Sequence, residues 1–369
     1  WGGPRPGDKP ETAPEREKKQ QPGQPPEQPT VDPNRNTGLK PVPPPEAWKD
    51  PGGAIAVPDR WRLLEALNLL PERWYDPYHQ NTLKGDKPVY GEEGFVTLLG
   101  VSDTVYEPPR LPTPVGPQST SDPGATDIFG QGEQVISSQT LLFSLVYVKG
   151  NTTFKPPDFE FHFTPAYNLN YVQSEVERLL EVDPRGGKGR GDQHLRLQEL
   201  FVDFHLRNVS DRYDFDSVRF GIQPFSTDFR GFLFQDNQLA LRLFGTRDNN
   251  RWQYNVAWIR RLEKDTNSGL NDQNRALRDD DLYVVNLYRQ DFPVLGHTSQ
   301  AIVAHNVNRE TRTFYDNNGF LARPLSFGNE MPREYEVTYL GYNGDGHFGR
   351  LNLTSSLYWA FGSETSGPF

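Results

Sequence analysis

A strict period of two runs through "DFEFHFTPAYNLNYV", residues 158–172. Its odd positions are Phe159, Phe161, Phe163, Pro165, Tyr167, Leu169 and Tyr171. The even ones are Glu160, His162, Thr164, Ala166, Asn168 and Asn170. Successive side chains of a strand point to opposite faces, so this stretch is a strand with one greasy face and one wet face. The alternation outlasts the usual strand of about 5–6 residues. A lipid bilayer asks for such length, since a tilted spanning strand needs about 9–11 residues.

Bulk composition narrows the alternatives. The chain has 369 residues, room for two average domains or one large β domain, and 34% of them are hydrophobic. The longest nearly apolar run, "TLLFSLVYV" at 140–148, is far short of the ~20 residues of a membrane helix. Low hydropathy excludes a helical membrane protein but not a barrel, whose lumen-facing half is polar. The net charge of −10, with no basic patch between aromatics, argues against a nucleic-acid binder. There is no cysteine, so thiolate metal sites, disulfides and cysteine nucleophiles are excluded.

Three regions follow one another. Residues 1–53 carry most of the proline-dense sequence, including "EREKKQQPGQPPEQPTVDPN" and "PVPPPEAW". They read as a disordered, semi-stiff segment, a periplasmic tether or a binding segment for a periplasmic partner. The chain opens on Trp1 without a charged-then-apolar leader, as expected after leader removal or for a fragment. Residues 54–92 read as a short helix and a turn-rich stretch. Pro58 and Asp59 start the helix, Leu63, Leu64, Leu67 and Leu70 line one side, and Pro71 stops it. From 93 to 369 eleven candidate strands alternate with Gly, Asn, Asp and Pro clusters. Short connections such as "RNVSDRYD" mix with long polar ones such as "EKDTNSGLNDQNRALRDDD".

Sorting residues by face sharpens this. Leu200, Val202, Phe204 and Leu206, with Gln198, share one face of 198–207; Glu199, Phe201, Asp203, His205 and Arg207 share the other. Val218, Phe220, Ile222 and Pro224 oppose Arg219, Gly221 and Gln223. Trp252, Tyr254, Val256 and Trp258 oppose Arg251, Gln253, Asn255 and Ala257. The greasy faces are aromatic, whereas the wet faces favour Asn, Gln, Arg, Asp and Gly over the Lys, Glu and Thr of a solvated sandwich. Phe201 and Tyr358 are exceptions, and "DLYVVNLYR" and "DTVYE" do not separate. Trp252, Trp258, Tyr339, Tyr358 and Trp359 lie near strand ends, where interfacial aromatics sit.

The stretch "VRFGIQPFSTDFRGFLFQDNQLALRLFG", a Gly-x-Gln strand, a turn and an Arg-bearing strand, is similar to what large Gram-negative outer-membrane barrels carry. The whole region 93–361 resembles barrels of the porin and alginate-export kind. That resemblance implies a passive or gated pore in the cell outer membrane. Barrels of this class end in a strand with a terminal aromatic. Here Phe369 is aromatic, but "GSETSGPF" reads as a loop. Eleven strands is odd where an even number is expected, so truncation is the expectation.

No catalytic motif emerges. Gly-x-Ser-x-Gly is absent, and "RGGKGRGDQ" at 185–193 reads as a loop between strands, not a phosphate cradle. "DTNSGLND" at 265–272 has alternating oxygen ligands but lacks the full calcium-loop pattern, so it reads as a flexible external loop. Asp203 and His205 share a face, but ladders of opposite charge on a polar lumen face explain them better than catalysis does.

The fold expectation is an all-β, antiparallel, up-and-down transmembrane barrel of at least 12 strands, not an enzyme and without cofactor or metal. It would pass small polar or anionic solutes, or export a polymer. Glu199, Asp203, His205, Arg219, Gln223, Arg242, Gln253 and Asn255 would line the pore and shape its field. The alternatives are a plugged docking barrel tethered to a periplasmic partner, and a soluble carbohydrate-binding or hydrolytic β domain.

Overall fold

The computed structural model describes residues 83–91, 93–110, 132–150, 156–176, 178–212, 214–324 and 330–365. The Pro-rich segment 1–53 and the expected helix at 58–70 lie outside them. The described chain is almost entirely β. Twelve strands form one sheet in the order β1 (Lys84–Tyr90), β2 (Gly94–Glu107), β3 (Gln134–Lys149), β4 (Phe159–Ser174), β5 (Gly189–Asn208), β6 (Phe215–Ser226), β7 (Gln235–Arg247), β8 (Trp252–Arg260), β9 (Asp280–Arg289), β10 (His297–Asn308), then β13 (Tyr335–Phe348) and β14 (Leu351–Glu364). Every neighbour pair is antiparallel and consecutive but for the β10–β13 step, where a small hairpin of β11 (Phe314–Tyr315) and β12 (Leu321–Arg323) intervenes. β1 and β14, the ends of the order, are not paired with each other.

Connections fall into two classes by end. At one end the turns are brief: 91–93, 209–214, 248–251 and 349–350, with 150–158 and 290–296 somewhat longer. At the other end lie 108–133, 175–188, 227–234, 261–279 and 309–334. The two ends are hereafter the short-turn end and the long-loop end.

The β7–β8 turn shows how a brief turn is held. Asp248, Asn249 and Asn250 are all left-handed, at φ 55°, 58° and 62°, a region that Asn and Asp tolerate best among side-chain-bearing residues. The buried Asp214 carboxylate, from the neighbouring β5–β6 turn, accepts the Asn249 and Asn250 N–H groups at 3.0 and 2.9 Å and the Ser210 hydroxyl at 2.9 Å. Asp214→Ala strands those donors. It should cost about 2 kcal/mol, the order of hydrogen bonds made to a charged group (~1.5–3 kcal/mol), as read by urea unfolding.

Burial is inverted relative to a water-soluble sheet. In β4, Thr164, Ala166, Asn168 and Asn170 are buried, while Phe163, Leu169 and Tyr171 are 39%, 43% and 44% exposed. In β9 the outward row reads Asp281, Tyr283, Val285, Leu287, Arg289, three apolar side chains between two charged ones. The residues facing inward across β4 to β14 are rich in buried amides: Asn168, Asn170, Gln223, Gln238, Asn255, Asn286, Gln300 and Asn343. The sheet curls around this polar face, because the β6–β7 connection reaches β14: the Tyr358 hydroxyl donates to Asp228 Oδ2 at 2.8 Å.

Several sequence expectations need correction. β1 lies in the stretch read as turn-rich. Gly189–Gln193, read as loop, begins β5. Its glycines pair beside Tyr171, whose hydroxyl lies 3.3 Å from where a Gly189 side chain would start. Gly362–Glu364, also read as loop, continues β14. Gln198 does not share the greasy face of β5. The ladder steps from Thr164↔Glu199 to Pro165↔Leu197, and Gln198 is the extra residue of a bulge. Proline has no N–H to donate, so the ladder breaks at Pro165 and Gln198 turns inward, where it is buried.

Candidate functional site

Cross-strand register places all eight expected lumen residues on the inward face. Asp203 opposes Arg219, Arg219 opposes Arg242, Arg242 opposes Ala257, and Gln223 opposes Gln238. They do not form one cluster. Glu199 accepts the Thr164 hydroxyl at 3.3 Å. His205 and Gln253 sit near the short-turn end, bonded to Asn208 Oδ1 at 2.9 Å and Asn250 Oδ1 at 3.1 Å. Gln223 is fully buried and donates to the Ala240 carbonyl at 2.9 Å.

The remaining four meet in the middle. Arg219 Nε and Nη2 both lie 2.8 Å from Asp203 Oδ2, and Glu160 stands 3.9 Å away. Arg242 Nε donates to Asn255 Oδ1 at 2.7 Å. No carboxylate reaches ion-pair distance of Arg242 among the described residues, so its charge is balanced only at longer range. Aromatic rings hold both guanidinium groups: Phe201 at 4.5 Å from Arg219, Phe244 at 4.5 Å and Phe225 at 5.5 Å from Arg242.

This explains Phe201, an aromatic on a wet face. Its ring stacks on His162 at 4.2 Å between centroids and lies 4.5 Å from the Arg219 guanidinium. Opposite it, Gly221 has φ +129°, and a side chain there would start 2.1 Å from the Leu200 carbonyl oxygen. Any larger residue both strains the backbone and collides. Gly221→Val should therefore cost at least the ~1–3 kcal/mol of a strained backbone position, seen as a lower urea midpoint of unfolding.

Tyr358, the second exception, belongs to a network that sequence reasoning missed. The connection 227–234 folds inward over β9, β10, β13 and β14. Its Thr227 carbonyl accepts Asn286 Nδ2 at 2.9 Å and Gln300 Nε2 at 2.6 Å. Phe232 stacks on Tyr358 at 5.3 Å, and Asn343 Nδ2 donates to the Tyr358 hydroxyl at 2.8 Å. Beneath the loop lies an apolar cluster of Phe225, Phe234, Ala240, Ala257, Ile259, Leu282, Val284, Ile302 and Ala304. Tyr339 also packs against this cluster, so it and Tyr358 face inward and leave Trp252, Trp258 and Trp359 outside.

Asp228 is the hub of the loop. It accepts the N–H groups of Arg230 at 2.8 Å and Phe232 at 3.1 Å besides the Tyr358 hydroxyl. Burial pushes its carboxyl up, but these donors outweigh burial and hold it below its ordinary value.

A second inward segment is 261–279. Asp265 lies 3.2 Å from His194, Asp272 lies 3.2 Å from Arg196, and Gln273 brackets Leu197. "DTNSGLND" is therefore packed against β5, not a flexible external loop. Asp265 accepts the Ser268 N–H at 2.8 Å, and no metal-ligating trio of His, Asp or Glu converges among the described residues. The β11–β12 hairpin joins this segment through Arg323 to Glu263, and through Arg275 to Asn317 at 2.7 Å. Asp203 and His205, which share a face, bond Arg219 and Asn208 rather than each other.

No protein-family model matches the chain, and no curated protein is significantly similar to it.

Proposed function

We propose that this sheet belongs to a β-barrel of the outer membrane, porin-like in general plan, whose polar interior passes small polar or anionic solutes past inward-folded segments. One observation carries the reading: a band of exposed apolar side chains around a buried, amide-rich and charged inner face. On β9 the band is bounded by Asp281 and Arg289. At ~3.4 Å per residue and a tilt of ~40° these charges stand ~20 Å apart vertically, close to the ~25 Å band of outer-membrane barrels. Trp258 donates to Asp281 at 3.0 Å near one limit, and Arg289 lies 4.7 Å from the Trp252 ring near the other. Aromatics paired with charge in this way suit the two water–lipid interfaces.

The preference for anions rests on Arg242, the inner guanidinium without an adjacent carboxylate. Planar-bilayer recording tests it. One unit charge at ~4 Å in water is worth about 1 kcal/mol, so Arg242→Gln should lower the anion-to-cation permeability ratio by about fivefold. Reversal potentials that stay the same in Arg242→Gln and Arg219→Gln would remove the role. A plugged docking barrel is the second reading, favoured by the three segments folded into the long-loop end. It requires silence under all voltages, whereas the pore requires stepwise openings. A soluble carbohydrate-binding domain would stay in solution without detergent.

A further inference from the structure

The outer surface at the short-turn end carries a row of arginines. Arg247, Trp252 and Arg289 are direct cross-strand partners on the outward face of β7, β8 and β9. Beside this row, Arg207 opposes Asp216 across β5 and β6. The Asp216 side chain is 6% exposed and anchors the group. It accepts Arg207 Nε at 2.8 Å, Arg247 Nη2 at 2.7 Å and the Tyr254 hydroxyl. Gly245 lies between Asp216 and Tyr254 in the ladder, and a side chain there would start 2.9 Å from Asp216 Oδ1 and 3.0 Å from the Tyr254 ring. The bare position lets Tyr254 reach across to Asp216.

Arg289 is the free member. It is exposed and makes no hydrogen bond or ion pair among the described residues. Its guanidinium is held instead against two rings, 4.7 Å from Trp252 and 4.8 Å from Phe292. Aromatic faces steady the charge and leave its N–H donors open. Arg207, Arg247 and Arg289 therefore have one carboxylate between them at ion-pair distance among the described residues. Of the turn carboxylates, Asp248 lies 3.8 Å from Arg251, and Asp291 accepts the Gly296 N–H at 2.9 Å. The opposite limit of the band is built the other way: Arg260 there meets two carboxylates, Asp281 at 2.7 Å and Asp279.

We propose that Arg247 and Arg289, with Trp252 between them, bind the phosphate of an anionic phospholipid in the leaflet at the short-turn end. Neighbouring strands stand about 4.8 Å apart, so β7 and β9 place the two side chains ~10 Å apart at the backbone, a span that two arginines close over a single phosphate. The row lies at the rim of the apolar band. A phosphate seated there leaves its acyl chains beside Leu243, Val256 and Leu287, all exposed. The arginine fork matches phosphate oxygens, and a headgroup without a cation of its own offsets the unmatched charge. That a lipid supplies the phosphate rests on the membrane reading, since only a bilayer brings headgroups to this height.

The probe is dioleoyl phosphatidylglycerol, added to the full chain in detergent and scored as bound lipid by native mass spectrometry against dioleoyl phosphatidylcholine. The expected result is preferential retention of phosphatidylglycerol, with affinity lowered about 25-fold in Arg247→Gln/Arg289→Gln, roughly fivefold for each arginine. Arg289→Gln alone breaks no bond within the protein, so it keeps the test open if the double variant folds poorly; it should lose about fivefold. Arg260→Gln, at the opposite limit, should retain the lipid. Equal retention of the two lipids, or unchanged affinity in Arg289→Gln, overturns the inference. Displacement of the lipid by an equal concentration of inorganic phosphate assigns the row to a soluble anion and overturns it too. Vesicle insertion is scored separately. A chain that inserts without preferring phosphatidylglycerol keeps the barrel and loses the site; one that retains the lipid in detergent but never inserts keeps the site and loses the barrel.

Discussion

Val285→Arg should abolish about 2–4 kcal/mol of folding stability in lipid, the cost of an arginine at the midplane of a barrel's outer surface. Val285 is central in the outward row of β9, 50% exposed, with Tyr283 and Leu287 beside it. In water the same change would be nearly free, because an exposed valine replaced by arginine buries nothing. Comparison with Gln290→Arg, just past the charged limit of the band, isolates the contribution of depth. That variant should stay within about 0.5 kcal/mol of the parent. Equal stabilities for the two variants in phospholipid vesicles would remove hydrocarbon as the outer solvent of the sheet.

Asp228→Ala carries the second large effect. The carboxylate gathers the Arg230 and Phe232 N–H groups and the Tyr358 hydroxyl, so its loss removes three part-buried hydrogen bonds to a charged group, each worth about 1.5–3 kcal/mol at most. The segment 227–234 should then leave the inner face, and single-channel conductance should rise. Acid should do the same. Because the folded carboxyl is held below its ordinary 3.8, its contribution is fully present above that value. It is lost as pH falls through the lower folded value. Conductance should therefore be flat from neutrality to about pH 4 and climb in more acid solution, with the climb absent in Asp228→Ala. Unchanged conductance in the alanine variant would show that 227–234 does not obstruct the path.

Much of the architecture could be read from alternation, and its failures have local causes. β4 alternates cleanly because one face meets the exterior and the other is lined by Thr164, Asn168 and Asn170. β9 does not: Leu282 and Val284 point inward, into the apolar cluster under 227–234, while Tyr283, Val285 and Leu287 point outward. A strand covered on both sides loses its period, and nothing local announces that a distant loop will cover it. Alternation puts Gln198 on the wrong face because a bulge shifts parity by one. Pro165, on the partner strand, was the available signal. Among site residues, the Arg219–Asp203 pairing followed from shared faces on adjacent strands. The hub at Asp228 and its bond to Tyr358 span 130 positions and had no short-range mark. β1 carries no strand signature, because its glycine, proline and lysines are poor strand formers.

On the proposed barrel reading, the spacing between Asp281 and Arg289 also bears on which lipids the protein would tolerate. A belt near 20 Å is shorter than the ~30 Å hydrocarbon core of an average bilayer. Such hydrophobic mismatch is relieved by compressing the acyl chains or by snorkelling of flanking side chains, at fractions of a kcal/mol per Å. Insertion should thus be faster and more complete in short-chain phospholipids than in long-chain ones. In a thick membrane the rim charges of β9 would be drawn toward the oily interior.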